Sequence, residues 1–256
     1  MSALARASRA WRWVVVIWLG ELAIAAASAF GIRSHVAAAM DEFVIPDDHR
    51  LYAIAEFLHL HPQLVVSMAV GLVTSALLGW VIWTLLAPLV LLRLSGIEGA
   101  ADLGRAWLGR FGPAIATSAW HLAMRVGAIV LGAQLVAALP GIAAAIVLLL
   151  AVPFITCALD LSRVAVVLEG AKGGAVRTAL DGYARLVRTP RRTAAMAGLA
   201  LLQWVLVLAG FIVLVRSGPG GPGTLAVMRA SAAAAAFFGI WRLALAASTA
   251  RPAAPE

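Results

Sequence analysis

The chain has 256 residues, of which 63% are hydrophobic and only 12% are charged. Soluble domains are about half apolar and about a quarter charged, so much of this surface must face lipid rather than water. The net charge of +8 is spread between apolar runs, which favours cytoplasmic loops of a membrane protein over a nucleic-acid surface. The single cysteine, Cys157, excludes an intrachain disulfide and a cysteine metal site.

The first predicted span covers residues 12–32, "RWVVVIWLGELAIAAASAFGI". Its basic start places the N-terminus inside, because arginines collect on the cytoplasmic side; they are Arg6, Arg9 and Arg12. A cleaved signal peptide is the alternative, since "ASA" at 27–29 resembles a cleavage site. Glu21 interrupts the apolar core and the run is long for a signal peptide, which favours a span.

Residues 33–63 are polar and rich in acid, and they are predicted to form an external loop. Within them "DHRLYAIAEFLHLH" has helical periodicity and is expected to lie as a short amphipathic segment at the interface. Glu56 and His59 have the spacing of a carboxylate metal site, but a solvated loop is the favoured interpretation. No metal site is therefore predicted.

The second predicted span, residues 64–92, carries no charge. A helix of this length would reach ~43 Å, more than the ~30 Å hydrocarbon core, so it must tilt or kink, with Pro88 as the expected kink. Small residues spaced by four allow close helix packing here; they are Gly71, Ser75 and Gly79.

A second charge-free run, from Val126 to Leu159, is too long for one crossing, and Pro140 with Gly141 divides it. A glycine- and proline-rich turn, "RSGPGGPG", divides the later apolar region in the same way. These breaks predict four further spans, at residues 114–139, 141–162, 193–215 and 224–249.

The distribution of basic residues tests this layout. Fourteen arginine or lysine residues flank the predicted spans on the inner side, and only three lie outside. Both termini are therefore expected in the cytoplasm. The two cytoplasmic segments, "GIEGAADLGRAWLGRFGP" and "GGAVRTALDGYARLVRTP", are predicted to be short interfacial helices whose arginines reach anionic lipid headgroups. The predicted fold is a single all-α polytopic membrane domain with six spans, residues 1–256.

"LDLSRVAVVLEG" followed by "AVRTALDGYARLVRTP" resembles a pattern of uncharacterised bacterial six-helix inner-membrane proteins, in which an Asp-x-x-Arg motif ends the fourth span. "WRLALAAS" at 241–248 and the loop "MDEF…AEFLHLHP" also match parts of that pattern. Leu161 stands where the family has tyrosine. The layout is also loosely similar to membrane domains attached to some glycerophosphodiesterases. The resemblance implies a bacterial inner-membrane location but no activity.

Ionisable side chains within the predicted spans form a candidate polar layer. Its members are expected ~10–18 Å from the cytoplasmic edge, except Arg163, which is expected to reach the headgroups; they are Glu21, His121, Arg125, Asp160, Arg163 and Arg242. Asp160 and Arg163 lie on one helical face and can pair. An unpaired charge at this depth costs at least ~3 kcal/mol, so pairs such as Glu21–Arg242 and Asp160–Arg125 are also expected.

The layer has two interpretations, a structural ion-pair network or a pathway for a solute, lipid or proton. The sequence lacks a phosphate-binding glycine loop, a zinc-protease motif and a nucleophile elbow. We therefore expect a non-enzymatic scaffold or accessory subunit of an envelope or transport assembly, with no cofactor, metal or nucleic-acid partner. The alternative is a transporter of a small solute or lipid.

Cysteine labelling of intact cells tests the predicted topology. A cysteine introduced at external position 48 (Asp48→Cys) should react with an impermeant reagent, and one at cytoplasmic position 181 (Asp181→Cys) should react only after permeabilisation. Labelling at position 181 from outside, without labelling at position 48, would refute the orientation.

Overall fold

A computed structural model describes residues 2–24, 59–60, 62–97, 99–138, 141–171, 173–217 and 222–250. Every regular element within these ranges is an α-helix. The predicted external loop lies almost entirely outside the described residues, as do Glu56 and the last part of the first predicted span. The all-helical class predicted from the apolar runs is confirmed for the described part of the chain.

The helices follow the predicted spans, with one further helix before the first predicted span and another between the fourth and the fifth. In chain order they are α1 (Ala3–Arg9), α2 (residues 11–24), α3 (Pro62–Leu94), α4 (Ala100–Ala138), α5 (Gly141–Val167), α6 (Ala175–Arg188), α7 (Pro190–Ser217) and α8 (Pro222–Ala247). The added α1 is capped by Ser2, whose hydroxyl accepts a hydrogen bond from the backbone N–H of Ala5 at 3.2 Å. Helix α6 is the second predicted cytoplasmic segment.

The first predicted cytoplasmic segment is not a separate helix. It was expected to end at Pro113, but α4 continues from Ala100 to Ala138 with Pro113 inside it. A proline removes one backbone hydrogen bond without forcing termination, and Pro88 and Pro153 also lie inside helices. Helix α6 does end before a proline: Thr189 leaves the helical conformation, with φ −126° and ψ 62°, because a following proline disfavours the α region for the residue before it.

Three helical segments among the described residues are long and apolar enough to cross a membrane: Val73–Leu94, Pro190–Gly210 and Ala226–Ala247. They belong to α3, α7 and α8. Their length matches the ~20 residues that a bilayer core requires. The prediction that this chain contains membrane-spanning helices is therefore supported at these three positions.

The chain forms two compact units, one of residues 1–18 with 84–256 and one of residues 19–83. In the second unit, the Trp83 indole Nε1 donates a hydrogen bond to Glu21 Oε1 at 3.3 Å. A Cβ on Gly20 would lie 3.3 Å from Ile82 Cδ1, so α2 and α3 pack closely there. Glu21 thus has a hydrogen-bond partner in this unit, an indole N–H.

The small residues on α3 that predict close packing of another helix show no such contact at Gly79. Ser75 donates its hydroxyl to the carbonyl of Gly71, within the same helix, at 2.8 Å. Apart from the adjacent backbone of its own helix, no heavy atom of the described residues lies within 4 Å of the position that a Gly79 Cβ would take. The expected close approach of another helix is therefore not observed at Gly79; in this unit it occurs at Gly20.

Helix α5 is the centre of the first unit. It packs against α4, α6, α7 and α8, and every residue from Cys157 to Val167 is buried. A helix buried on all sides must enclose its polar residues as well as its apolar ones. Asp160, Ser162 and Arg163 are therefore core residues.

Gly182 allows α6 to lie directly against α5. A Cβ at this position would meet the Ser162 hydroxyl and lie 2.5 Å from the Ala158 carbonyl oxygen. Real Cβ atoms do not approach backbone that closely, so the two helices could not keep this separation with any larger residue.

Replacing Gly182 by alanine should therefore destabilise the protein by about 1–3 kcal/mol, because α6 must move away from α5. Thermal unfolding of the purified protein in detergent would show a midpoint lower by ~2–4 °C per kcal/mol. Gly109→Ala is the control, since Gly109 is also inside a helix but, apart from the adjacent backbone of that helix, no atom of the described residues lies within 4 Å of a new Cβ. It should stabilise slightly. Equal effects of the two substitutions would contradict the close packing at Gly182.

Candidate functional site

The carboxylate of Asp160 is the centre of a polar cluster in the interior of the first unit. Its side chain is 1% exposed, and both of its oxygens have arginine partners. Arg242 Nε on α8 lies 2.5 Å from Oδ2, and Arg163 Nη1, one turn along α5, lies 3.4 Å from Oδ1. The pairing of Asp160 with Arg163 that their spacing predicts is present.

Gln203 extends the cluster to α7. Its Oε1 accepts a hydrogen bond from Arg242 Nη1, and its Nε2 donates to the backbone carbonyl of Ala235 at 2.7 Å. Both ends of the amide are thereby used. Asp160, Arg242 and Gln203 connect three helices, α5, α8 and α7, through directional hydrogen bonds.

Arg163 lies in the interior, and the expectation that it would reach the headgroups is wrong. Its side chain is 4% exposed. The expectation came from its position near the end of the span, but α5 is surrounded on every side at this level. Pairing with Asp160 turns the guanidinium inward, where the other charged groups nearby are Arg125 and Arg242.

His121 and Ser162 connect α4 to α5. The Ser162 hydroxyl donates its proton to the Ala158 carbonyl at 2.8 Å, so its oxygen accepts from His121 Nε2 at 3.1 Å. The imidazole ring stacks on the Tyr183 ring of α6, with 5.6 Å between centroids. Burial raises the pKa of the Tyr183 phenol, which therefore keeps its proton as a possible donor.

Arg125 lies one turn after His121 on α4, and its partner is a hydroxyl. Its Nη2 donates to Thr156 Oγ1 at 2.8 Å, and Thr156 donates in turn to the Val152 carbonyl at 2.8 Å. The expected ion pair between Asp160 and Arg125 is not formed, since the two carboxylate oxygens of Asp160 pair with Arg163 and Arg242. Among the described residues, Arg125 has no carboxylate within ion-pair distance.

The other expected pair, Glu21 with Arg242, also differs from the observed contacts. Glu21 accepts its hydrogen bond from Trp83 within the second unit, and Arg242 is bonded to Asp160 and Gln203. Five of the six predicted residues belong to the first unit and lie close together there: His121, Arg125, Asp160, Arg163 and Arg242. Glu21 belongs to the second unit.

A second ion-pair group holds α6 against the end of α5. Arg185 makes two hydrogen bonds to Glu169, at 2.8 and 2.6 Å, and its Nε donates to Asp181 at 2.7 Å. The hydrogen bonds with Glu169 raise the pKa of Arg185. Gly170 follows with φ +64°, a conformation that ends helices and that glycine adopts without strain.

Several of these residues were absent from the sequence prediction, although signals for them existed. Gln203 is an amide inside an apolar run, and Asp181 and Arg185 have the i, i+4 spacing of a helical ion pair. Ser162 and Thr156 carry no sequence signal, because hydroxyls inside helices often bond only to their own backbone. The prediction considered only ionisable side chains in the spans.

Comparison with known proteins assigns no function to this cluster. No family model, curated protein or solved structure matches the chain. Within the described ranges, no group of three or more histidine, cysteine, aspartate or glutamate side chains is placed to hold a metal ion. The charged groups of the cluster are three arginines and one aspartate, and guanidinium groups are suited to binding carboxylate and phosphate.

Asp160→Ala should destabilise the purified protein by about 3–5 kcal/mol, because it leaves buried arginines without their carboxylate. Arg163→Ala should cost less, about 1–2 kcal/mol, because Asp160 keeps its shorter bond to Arg242. Thermal unfolding in detergent measures both. Asp102→Ala is the matched control, because Asp102 pairs with Arg105 at the same i, i+3 spacing but on the exposed surface; it should change stability by less than about 0.5 kcal/mol. A loss for Asp160→Ala no larger than for the control would contradict the assignment.

Proposed function

We propose that this chain is a non-enzymatic multi-pass protein of a bacterial inner membrane, acting as a scaffold or accessory subunit of an envelope or transport assembly. The observation that supports it is the use of both Asp160 oxygens by arginines, with Gln203 completing the bonds of Arg242. A carboxylate held in this way fixes three helices relative to one another. It has no free oxygen to exchange with a passing solute.

The proposed topology has six spans with both termini in the cytoplasm, as in the bacterial six-helix proteins that the sequence resembles. Contacts at the end of α8 support a common side for the two termini. Arg6 Nη2 donates to the Ala244 carbonyl at 3.5 Å, and Arg192 Nη1 donates to the Ser248 carbonyl at 3.0 Å. Arginines at a helix C-terminus are favoured by the helix dipole, and cytoplasmic ends are rich in arginine.

In the proposed arrangement α6 lies at the cytoplasmic interface, on anionic lipid headgroups. Its inner face, which includes Gly182 and Leu186, is buried against the bundle. Its other residues include exposed valine, leucine and arginine side chains, namely Val176, Arg177, Leu180, Val187 and Arg188. Apolar residues beside arginines are typical of helices that lie in the headgroup region.

The surface of α7 suits a protein that associates within a bilayer. Large apolar side chains are exposed along it, including Leu202, Trp204, Val205, Leu208 and Ile212. Soluble proteins rarely expose a continuous surface of this kind. In the proposed function this face contacts lipid or an apolar helix of the assembly.

A transporter of a small solute or lipid is the second candidate, and Arg125 favours it. This arginine lies within the polar cluster, but its hydrogen bond goes to the Thr156 hydroxyl. Intramembrane ionisable residues commonly mark the path of a substrate or proton. A transporter would need this charge, whereas a scaffold would need only the connections between helices.

A double-mutant cycle at Asp160 and Arg242 distinguishes the two functions. Asp160→Leu and Arg242→Met should each be destabilising, and the double variant should lose less than the sum of the two, because the Asp160–Arg242 pair is removed together while Arg163 is still left without a carboxylate. Two measurements are needed, the thermal stability of the purified protein and complementation of the phenotype of a deletion strain.

A scaffold requires that the double variant recover complementation to the same extent as it recovers stability. Recovery of stability without complementation would contradict the scaffold and favour transport, because the charges themselves would then be needed. The corresponding cycle at the exposed pair Asp102 and Arg105 controls for general effects of charge removal. It should show a coupling energy below about 1 kcal/mol.

A further inference from the structure

We propose that the buried polar cluster binds a phosphate group, carried by a lipid headgroup or present as free phosphate, with Arg125 as its principal ligand. The proposal goes beyond the scaffold function and does not depend on it, since a phosphate bound here could be structural or transported. It follows from the charges of the cluster, its unused hydrogen-bond donors and its partial exposure at Arg125.

The cluster contains three guanidinium groups and one carboxylate. Asp160 bonds to Arg163 and Arg242, and Arg125 is close enough to both Asp160 and Arg242 for their charges to interact. Among the described residues no second carboxylate pairs with these arginines. One carboxylate neutralises one of the three cations, so the cluster carries two excess positive charges. Cations removed from water without an anion are strongly unfavourable, and a phosphate group with one or two negative charges would restore the balance.

Hydrogen-bond donors remain unused at the same place. The Nε atoms of Arg125 and Arg163 are buried without a hydrogen-bond partner among the described residues, and so is the Tyr183 hydroxyl. Arg125 and Tyr183 are near enough to interact electrostatically. A guanidinium presents parallel N–H groups that match two phosphate oxygens, and a phenol can donate to a third. The donors that lack partners are therefore of the kind that phosphate requires.

Arg125 is also the arginine of the cluster that a ligand can reach. Arg163 and Arg242 are less than a tenth exposed, whereas Arg125 is only partly buried. Exposed apolar side chains lie near it along the chain, Val126 on α4 and Phe154 on α5, two residues before its partner Thr156. In a bilayer such side chains would contact acyl chains, which favours a lipid as the source of the phosphate.

Ligand-dependent thermal unfolding of the full-length, delipidated protein in detergent tests the proposal. The probes are phosphatidylglycerol, diacylglycerol with the same acyl chains, and inorganic phosphate compared with chloride at equal ionic strength. Phosphatidylglycerol at about 100 times its dissociation constant should raise the unfolding midpoint by about 5–10 °C, and diacylglycerol should not. A comparable shift with inorganic phosphate would identify free phosphate as the source. No shift with either phosphate probe would overturn the proposal.

Variants assign the shift to the cluster. Arg125→Gln should weaken phosphate binding at least about tenfold, because it removes a charged donor. Tyr183→Phe keeps the ring against His121 and should weaken binding by up to about tenfold. Arg105→Gln, on the exposed surface of the same helix, should bind as the unmodified protein does. Unchanged binding by Arg125→Gln, or equal loss with Arg105→Gln, would show that the phosphate binds elsewhere.

A third substitution keeps the test decisive if Arg125→Gln is poorly folded. Arg125→Met retains most of the side-chain volume and removes the excess charge. Without added phosphate, its unfolding midpoint should equal or exceed that of the unmodified protein, because an uncompensated cation is gone. With phosphatidylglycerol it should show no shift. A lower midpoint without ligand would mean that Arg125 is already neutralised within the chain, and the proposal would fail.

Discussion

The bond between Asp160 and Arg242 is the contact on which the arrangement of the first unit depends. Helices in lipid gain little from apolar contact with each other, because lipid tails are as apolar as leucine. Directional polar contacts therefore have more influence on which helix faces which. Here one carboxylate fixes α8 against α5, and Gln203 fixes α7 against both. A rotation of α8 by one residue would move Arg242 by about 100° and break these bonds.

The close contact between α5 and α6 brings an amphipathic helix to the same cluster. Gly182 permits the approach, and the approach places Tyr183 on the ring of His121. Arg185 then holds the other end of α6 through Glu169. A helix whose outer side carries exposed valine and arginine is thus in direct contact with buried polar groups of the cluster.

Much of the helical architecture could be predicted from the sequence, and its polar contacts only in part. Long apolar runs require helices in a low-dielectric medium, so four predicted spans correspond closely to α3, α5, α7 and α8. Pro113 lies within α4 and does not separate two helices, because proline weakens a helix without always ending it. The position of Arg163 near the end of its predicted span indicates the headgroup interface, but its side chain is buried. The direction of the Arg163 side chain depends on which helices surround α5, and a hydropathy profile does not predict which helices are neighbours.

Depth along the helix also predicts Arg125 as a partner of Asp160, whereas the structure pairs Asp160 with Arg242 and Arg163. Depth along a helix gives one coordinate, but a hydrogen bond also requires the right face and neighbour. Arg242 satisfies all three conditions, whereas Arg125 meets Thr156 instead. Its charge is left without a carboxylate among the described residues, at a position only partly buried. A bound phosphate would supply the missing negative charge and add to the existing contacts between α4 and α5, so the scaffold and the anion site would stabilise the same bundle.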